Sequence, residues 1–255
     1  MRIARYSVDD TIRYGVVELE PDGGVSPGTV ADLTGDPFVG GVKLTGVRHP
    51  LEDVRWLAPV LPRSKVISVV AGPGGKTGFY LKPNTSVVGP GDAIVVPGGV
   101  DDVRLGVALA VVIGRICRSV PAERVPEAVF GYTVGNDVTA AGLIRAGLPW
   151  GMGTAWDSFT PLGPWIVTHL SIEEASGLDM TALVGDDPVR GASTRDLVWD
   201  IVGAVGRLSE VMTLLPGDVI LIGPPDGTAP IKSGQPVVIN IDEIGALINT
   251  VMGPV

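Results

Sequence analysis

Lys82 and Asp137 are charged side chains beside apolar, strand-like runs, and their types suit proton transfer. Lys82 on its apolar run is either the partner in a structural ion pair or a cation that binds substrate. Asp137 follows a strand-like run and is either a turn or capping carboxylate or a general base. One base with a few hydrogen-bond donors is enough for enolisation or cyclisation. The sequence therefore keeps proton-transfer chemistry open.

A phosphate-binding loop is a weaker possibility. The run Gly74-Gly75-Lys76-Thr77 matches the end of such a loop, but Val70 stands where the full motif requires glycine. The residues that follow, 79–83, are typical of a strand that ends at proline, whereas the motif requires a helix. Lys76 and nearby backbone N–H groups could still hold an anionic oxygen, or the segment is a plain exposed loop.

Histidine and serine chemistry have no evident carrier in this sequence. His49 precedes a proline and is expected in a surface turn, and His169 follows a strand-like run without an orienting partner nearby. Residues 24–28 match the Gly-x-Ser-x-Gly pattern, but no helix is predicted to follow them, so the sequence does not predict the nucleophile elbow of a serine hydrolase. General base catalysis by histidine and serine-hydrolase chemistry are therefore disfavoured.

The composition fits a soluble, cytoplasmic protein with a large core. The chain has 255 residues, of which 45% are hydrophobic, and its 36 glycines and 22 prolines predict many turns between short strands. A net charge of -9 argues against nucleic acid as a partner. Cys117 is the single cysteine, so no internal disulfide can form. We also expect no signal peptide and no membrane association.

The elements that position these residues are mostly strands. Residues 1–53 are expected to form a small N-terminal β module, and residues 54–255 a larger domain. Apolar or alternating runs typical of strands recur at 65–70, 93–96, 105–113, 131–134, 165–168, 219–222 and 237–241. Helices are predicted at 121–129 and 197–208, and Ser171 with Glu174 begins another with a capping box. This predicts a β-dominated α/β fold without the alternation of a doubly wound sheet.

Several motifs occur in the order that one enzyme family shows. They are Val54–Val60, Tyr80–Ser86, Gly89–Pro97, Gly131–Ala140, Asp157–Thr168 and Thr213–Gly223. From residue 54 to residue 255 the chain resembles the fumarylacetoacetate hydrolase family. The resemblance implies a mixed β-roll, a homodimer, and an active site at one end of the roll that takes a small-molecule substrate.

The resemblance fails at the metal-binding positions of that family. Its members bind Mg²⁺ or Mn²⁺ with three or more carboxylates, two of them glutamates on one strand. Here the corresponding strand contains Gly106 and Ala108, and of the motif carboxylates only Asp137 is retained. One carboxylate offers a hard divalent cation too few oxygens and too little charge. We therefore expect no metal site of the family type and no cofactor.

Other family positions in the site are changed as well. Thr154 stands where the family has a lysine, and the family's His/Glu lid motif is missing. These losses fall in the site while the core motifs remain, which favours a site rebuilt for another reaction. The catalytic candidates are Asp137 as base with Lys82 and Thr154 orienting oxygens. The candidates for substrate binding are Lys76, Tyr80, Asn136, Trp156 and Asp157, although Trp156 could equally fill ordinary core.

Three functions remain open from the sequence. The first is a metal-independent isomerase or cyclase that acts on an enolisable dicarbonyl or polyketide-like small molecule. The second is a metal-dependent hydrolase, isomerase or decarboxylase of an oxo acid, with Mg or Mn on relocated ligands such as Asp101, Asp102 or Asp157. The third is a non-catalytic binding subunit.

Overall fold

Short strands account for most of the regular structure, as the glycine and proline content predicts. The computed structural model describes residues 1–19, 28–71 and 76–253. The strands in these residues are β1 (Arg2–Val8), β2 (Thr11–Glu18), β3 (Thr29–Leu33), β4 (Leu44–Pro50), β5 (Arg55–Leu57), β6 (Val66–Ala71), β7 (Thr77–Lys82), β8 (Val87–Val88), β9 (Ala93–Val95), β10 (Val103–Ile113), β11 (Val129–Asn136), β12 (Thr139–Ala140), β13 (Thr160–Val167), β14 (Asp179–Val184), β15 (Asp187–Ser193), β16 (Val219–Ile222), β17 (Thr228–Pro230), β18 (Pro236–Ile241) and β19 (Gly245–Met252). The helices are α1 (Pro37–Gly40), α2 (Val125–Ala128), α3 (Ala141–Arg145), α4 (Trp150–Thr154), α5 (Ile172–Ala175) and α6 (Ile201–Val211).

Two mixed sheets organise these strands. The larger has 14 strands, with the main order β4-β3-β2-β1-β13-β11-β10-β16-β6-β7, and the smaller has the order β15-β14-β18-β19-β9. Most neighbours are antiparallel, whereas β16 pairs with β6, β13 with β8 and β19 with β9 in parallel. The fold is therefore β-dominated and mixed, which confirms the predicted fold class.

The N-terminal strands extend the larger sheet. Strand β1 pairs with β13 through Arg2 opposite Val167 and Ile3 opposite Ile166. These strands also have a small core of their own, formed by Ala4, Tyr6, Val17, Val30 and Val54. The predicted division into an N-terminal module of residues 1–53 and a domain of residues 54–255 stays a prediction.

Strand β10 is the most deeply buried strand near the candidate site. Residues 105–113 are all buried, and successive side chains point into different cores. Leu105, Val107 and Leu109 pack in the main cluster, while Ala108 and Ala110 pack in a second cluster on the opposite face. A strand that is buried on both faces gives its residues fixed positions. Gly106 and Ala108 are therefore held firmly in the fold.

The helices only partly follow the sequence prediction. The capping box between Ser171 and Glu174 is confirmed at the start of α5. Helix α6 begins four residues later than predicted because the Asp200 side chain caps it, accepting a hydrogen bond from the Gly203 N–H at 2.6 Å. The predicted helix at 121–129 is a 3-10 turn followed by the four-residue α2, since Pro126 cannot donate within a continuous helix.

His49 lies in a strand and not in the surface turn that was predicted. It belongs to β4, and its Nε2 atom is 3.5 Å from Oδ2 of the buried Asp32. No helix within the described residues is long and apolar enough to cross a membrane.

Candidate active site

A cavity of about 290 Å³ lies where β6, β7, β10 and the turn after β11 come together. Much of its wall is apolar and includes Val69, Val70, Leu105, Val107, Ile144, Val198, Pro224 and Pro225. The polar side chains on the wall are Ser68, Tyr80, Arg104, Asp137, Thr139, Arg145 and Thr228. An apolar cavity with a few convergent polar groups is the usual form of a small-molecule site.

Asp137 is the centre of a hydrogen-bond network in this cavity. The Lys82 ammonium donates to Asp137 Oδ1 at 2.6 Å and to the Val138 carbonyl oxygen at 3.1 Å. The hydroxyls of Ser68 and Tyr80 both donate to Asp137 Oδ2. The carboxylate thus has an ionic partner on one oxygen and two neutral donors on the other, and its side chain keeps 14% of its surface exposed.

Curvature of the large sheet brings these groups together. Ser68 and Tyr80 are paired across β6 and β7, and Lys82 pairs with Val66 at the end of the same hairpin. Asp137 follows β11, which is separated from β6 by β10 and β16 in the sheet order. Adjacent strands are about 4.8 Å apart, so a flat sheet would separate β11 from β6 by roughly 14 Å. The direct hydrogen bonds therefore require the sheet to curl around the cavity.

Burial sets the charge states around Asp137. Burial lowers the pKa of Lys82, and the neighbouring Asp137 carboxylate opposes this effect. For Tyr80, burial first and then the charge of Asp137 raise the pKa well above its ordinary value of 10.0. Tyr80 is therefore a neutral phenol near pH 7 and can only donate its proton in a hydrogen bond. The site combines a neutral donor, a carboxylate and a buried cation.

The backbone at Gly106 leaves no space for a side chain. A Cβ atom there would lie 2.7 Å from the Asp137 carbonyl oxygen and 3.3 Å from Asp137 Cβ. The Asp137 N–H also donates to the Gly106 carbonyl oxygen at 2.8 Å, which fixes this close approach. A glutamate at this position would need the backbone to move.

The available donor set does not fit a divalent cation of the family type. Gly106 and Ala108 offer no side-chain oxygen, and the oxygens of Asp137 already accept from Lys82, Ser68 and Tyr80. Across residues 1–19, 28–71 and 76–253, no three His, Cys, Asp or Glu side chains are grouped so that they could hold a metal ion. Mg²⁺ and Mn²⁺ require several oxygen ligands, which these residues do not supply.

The structure brings together three of the residues proposed from sequence, Lys82, Tyr80 and Asp137. Asn136 lies just behind them, buried, and its Oδ1 accepts from the Gly106 N–H at 3.0 Å. It therefore fixes the turn that carries Asp137 and does not line the cavity. Its predicted role in substrate binding stays a prediction.

The structure places the other predicted residues away from the cavity. Thr154 is buried, its hydroxyl donates to the Trp150 carbonyl oxygen at 2.9 Å, and it does not line the cavity, so its role in orienting a substrate oxygen stays a prediction. The indole of Trp156 donates to the Met152 carbonyl oxygen, and Asp157 is exposed; neither lines the cavity.

The loop that resembled a phosphate-binding motif is only partly described. Gly74 and Gly75 lie outside the described residues. Lys76 is exposed and directly precedes β7, where the strand that argued against this motif is confirmed. Its predicted contact with substrate stays a prediction.

Sequence reasoning missed six polar or aromatic side chains of the cavity wall, Ser68, Arg104, Thr139, Arg145, Trp150 and Thr228. Ser68 interrupts the apolar run of β6, a pattern that could have identified it. Arg104 and Arg145 both contact Asp102, one from β10 and one from the end of α3. The Trp150 ring stacks on the Tyr80 ring with centroids 5.1 Å apart and planes 18° apart. No sequence spacing connects these residues, because only the folded chain joins their elements.

Comparison with protein families gives two matches. Residues 68–252 match the model of the fumarylacetoacetate hydrolase C-terminal domain. Residues 1–59 match the model described as Rv2993c-like, N-terminal.

Several known proteins are similar to this chain over nearly its whole length. Protein Rv2993c of Mycobacterium tuberculosis is 38% identical over 263 residues, covering 99% of this chain and 98% of that protein. A structure of 5-carboxymethyl-2-hydroxymuconate delta-isomerase from Mycobacterium smegmatis is 39% identical with a TM-score of 0.91, covering 99% of this chain and 100% of that one. Maleylpyruvate hydrolase from Sphingobium sp. SYK-6, solved with manganese(II) and pyruvate, is 33% identical with a TM-score of 0.81, covering all of both chains.

Proposed function

Because this chain belongs to the fumarylacetoacetate hydrolase family, we propose that it is an isomerase of that family that works without a divalent cation. It would move a proton between two atoms of a small, enolisable oxo compound. One observation carries the proposal: the carboxylate retained from the family's metal site, Asp137, is bound by Lys82, Ser68 and Tyr80. Hydrogen-bond donors thus occupy the oxygens that a metal ion would need.

The network contains the groups that an isomerisation requires. Asp137 accepts a proton from the carbon next to the substrate carbonyl, and the electrons of that C–H bond form the enolate. The hydroxyls of Tyr80 and Ser68 donate hydrogen bonds to the enolate oxygen, where the negative charge develops. Asp137 then returns the proton to another atom of the same conjugated system. Atoms and charge balance, with no oxidant, reductant or water consumed.

The hydrogen bonds at Asp137 connect binding with proton transfer. Before substrate binds, Ser68 and Tyr80 both donate to Oδ2 of Asp137. When these hydroxyls turn to the substrate oxygen, Oδ2 becomes free to accept the proton. Lys82 continues to hold Oδ1 and keeps the carboxylate in place. The substrate therefore releases the base that acts on it.

Other observations support this proposal over the alternatives from the sequence. A solved structure with 39% identity is described as an isomerase. The relocated ligands of the metal-dependent alternative are poorly placed, since Asp101 and Asp157 are exposed and Asp102 is engaged by two arginines. The carboxylate with its neutral donors favours an enzyme over a non-catalytic binding subunit, because binding alone does not require a base. Cyclisation would begin with the same proton abstraction and stays a prediction.

Exchange of carbon-bound hydrogen in D₂O tests the proposal directly. The purified protein is incubated with oxaloacetate, acetylpyruvate or pyruvate, and deuterium incorporation is followed by NMR with excess EDTA and, separately, with added Mg²⁺ or Mn²⁺. We expect exchange that EDTA does not reduce, and a loss of about 10²-fold or more in Asp137→Asn, as for other general bases. Asp226→Asn is the matched control, because Asp226 is an exposed aspartate paired only with Arg190.

Each contrary result rejects a defined part of the proposal. Activity that EDTA abolishes and Mg²⁺ restores would reject metal independence. Full activity in a folded Asp137→Asn variant would reject Asp137 as the base. An absence of exchange with every compound of the panel, in protein shown to be folded by circular dichroism, would reject isomerase activity on these oxo acids and favour the binding subunit.

A further inference from the structure

Two guanidinium groups lie on the wall of the same cavity as Asp137. Arg104 extends from β10, two residues before Gly106, and Arg145 ends α3. Within the described residues they are the cationic side chains that line this cavity, since Lys82 is fully buried behind Asp137. Arg104 is 36% exposed and Arg145 is 62% exposed, so both are accessible to a ligand.

Asp102 holds the two arginines next to each other. Arg104 Nε lies 3.0 Å from Asp102 Oδ1, and Arg145 Nη1 contacts Asp102 Oδ2. Burial raises the pKa of Asp102, but the hydrogen bonds and charges of Arg145 and Arg104 outweigh this and lower it overall. One carboxylate therefore faces two guanidinium groups, and this trio carries a net positive charge of one.

The remaining N–H donors of this trio suit an anion. Each guanidinium has five N–H donors in a planar fork, and Asp102 engages only some of them. Such a fork binds a carboxylate through two parallel hydrogen bonds. A carboxylate that enters an apolar cavity also needs a partner of opposite charge, because its desolvation is otherwise costly. The residues on the wall offer no divalent cation site for this purpose.

We propose that Arg104 and Arg145 bind a carboxylate of the substrate, which makes the substrate an oxo acid anchored by guanidinium groups instead of a metal ion. The proposal rests on the proposed isomerase function and names the substrate class of that site. Asp102 is the positioning residue, since it pre-arranges the two forks before the substrate arrives. The cavity of about 290 Å³ limits the substrate to a small molecule, with the carboxylate at the arginines and the reacting carbon at Asp137.

A matched pair of ligands tests the arginine site without turnover. Pyruvate carries the carboxylate, and methyl pyruvate has the same oxo group without the charge. Binding of each is measured by calorimetry and by tryptophan fluorescence, with Trp150→Phe to identify the contribution of Trp150, which stacks on Tyr80 at the cavity. We expect pyruvate to bind about tenfold or more tightly than the ester, as a charge-assisted bidentate contact predicts.

Substitution of the arginines identifies the source of that preference. The double variant Arg104→Gln/Arg145→Gln is expected to bind pyruvate and the ester alike, and Arg104→Lys/Arg145→Lys to keep part of the preference through charge alone. Arg190→Gln is the control, because Arg190 is an exposed arginine paired with Asp226. Thermal unfolding checks that every variant is folded. Equal binding of both ligands to the wild type, or an equal loss in Arg190→Gln, would overturn the proposal.

Kinetics separate this inference from the function on which it rests. If exchange proceeds and the glutamine variant keeps its KM for oxaloacetate, the arginine site is rejected while the isomerase stands. If no exchange occurs but pyruvate binding still depends on the arginines, the isomerase is rejected while the anion site stands. The proposal as a whole predicts a KM about tenfold or more higher in the glutamine variant, with a smaller change in kcat.

Discussion

Replacement of Asp137 by asparagine is expected to destabilise the fold through the cation that it leaves behind. The Lys82 side chain is 0% exposed, with its ammonium 2.6 Å from Asp137 Oδ1 and 3.1 Å from the Val138 carbonyl oxygen. Removing one partner of a buried ion pair costs about 3–5 kcal/mol. Because Asp137 is 14% exposed, we expect the lower end of this range, about 3 kcal/mol near pH 7.

The pH dependence of this loss is the decisive part of the prediction. Burial lowers the pKa of Lys82 below its ordinary value of 10.5, and Asp137 opposes that effect. Asparagine removes the opposition, so the pKa of Lys82 in the folded variant falls further. At a pH between the pKa of Lys82 in the folded protein and its value of 10.5 in the unfolded chain, Lys82 binds more protons in the unfolded chain, and the free energy of unfolding therefore rises with pH. This pH range is wider in Asp137→Asn than in the wild type. The stability that the variant lacks relative to the wild type therefore becomes smaller as the pH rises towards 10.5.

Urea unfolding at pH 7 and pH 9.5, followed by circular dichroism, measures both effects. A loss of about 3 kcal/mol corresponds to roughly 6–12 °C in Tm for a chain of this size, which gives an independent check. Lys82→Met is the control: it has no titrating ammonium, so its deficit relative to wild type is expected to stay constant or grow with pH. A loss below about 1 kcal/mol, or a deficit in Asp137→Asn that does not shrink at high pH, would refute the buried ion pair as described.

Three further predictions concern single positions. Tyr80→Phe removes a donor to the enolate oxygen and is expected to lower kcat of the exchange reaction about 10²-fold with little change in KM, as steady-state kinetics would show. Gly106→Ala places a Cβ 2.7 Å from the Asp137 carbonyl oxygen and is expected to cost about 1–3 kcal/mol in urea unfolding, whereas Gly78→Ala, with open space around its Cβ, serves as the control. Thr154→Val removes a buried hydrogen bond outside the cavity and is expected to lower the free energy of unfolding by about 1 kcal/mol, with kcat unchanged. A fall in kcat would instead show that Thr154 takes part in the reaction.

Much of the fold could be predicted from the sequence because its strands are apolar and its turns are marked. The predicted run 219–222 is β16, and 237–241 lies within β18. Helix boundaries were less predictable, since α6 begins at the Asp200 cap and not at the first apolar residue, Leu197. Periodicity shows which residues face one side, whereas a cap depends on a local hydrogen bond that apolar spacing does not reveal.

The candidate site was predictable where a family motif or a charged residue at a strand end marks it. Lys82 ends β7 and Asp137 follows β11, whereas Ser68, which interrupts the apolar β6, was overlooked. Arg145 could not be found in this way, because its position at the cavity depends on how α3 packs against β10 and not on neighbours in sequence. The burial of Thr154 at the end of α4, outside the cavity wall, could not be predicted from neighbours in sequence either.

The lost metal ligands and the hydrogen-bond network are parts of one structural arrangement. At Gly106 the β10 backbone donates to Asn136 Oδ1 at 3.0 Å and accepts from the Asp137 N–H at 2.8 Å. This contact needs a residue without a side chain, because a Cβ would overlap the Asp137 carbonyl oxygen. The same contact fixes the turn that presents Asp137 to Ser68 and Tyr80. A glutamate at position 106 would add a ligand only by displacing the turn that holds the remaining carboxylate. Under the proposed function, a metal ligand restored at position 106 would therefore disturb the hydrogen-bond network that the isomerisation uses.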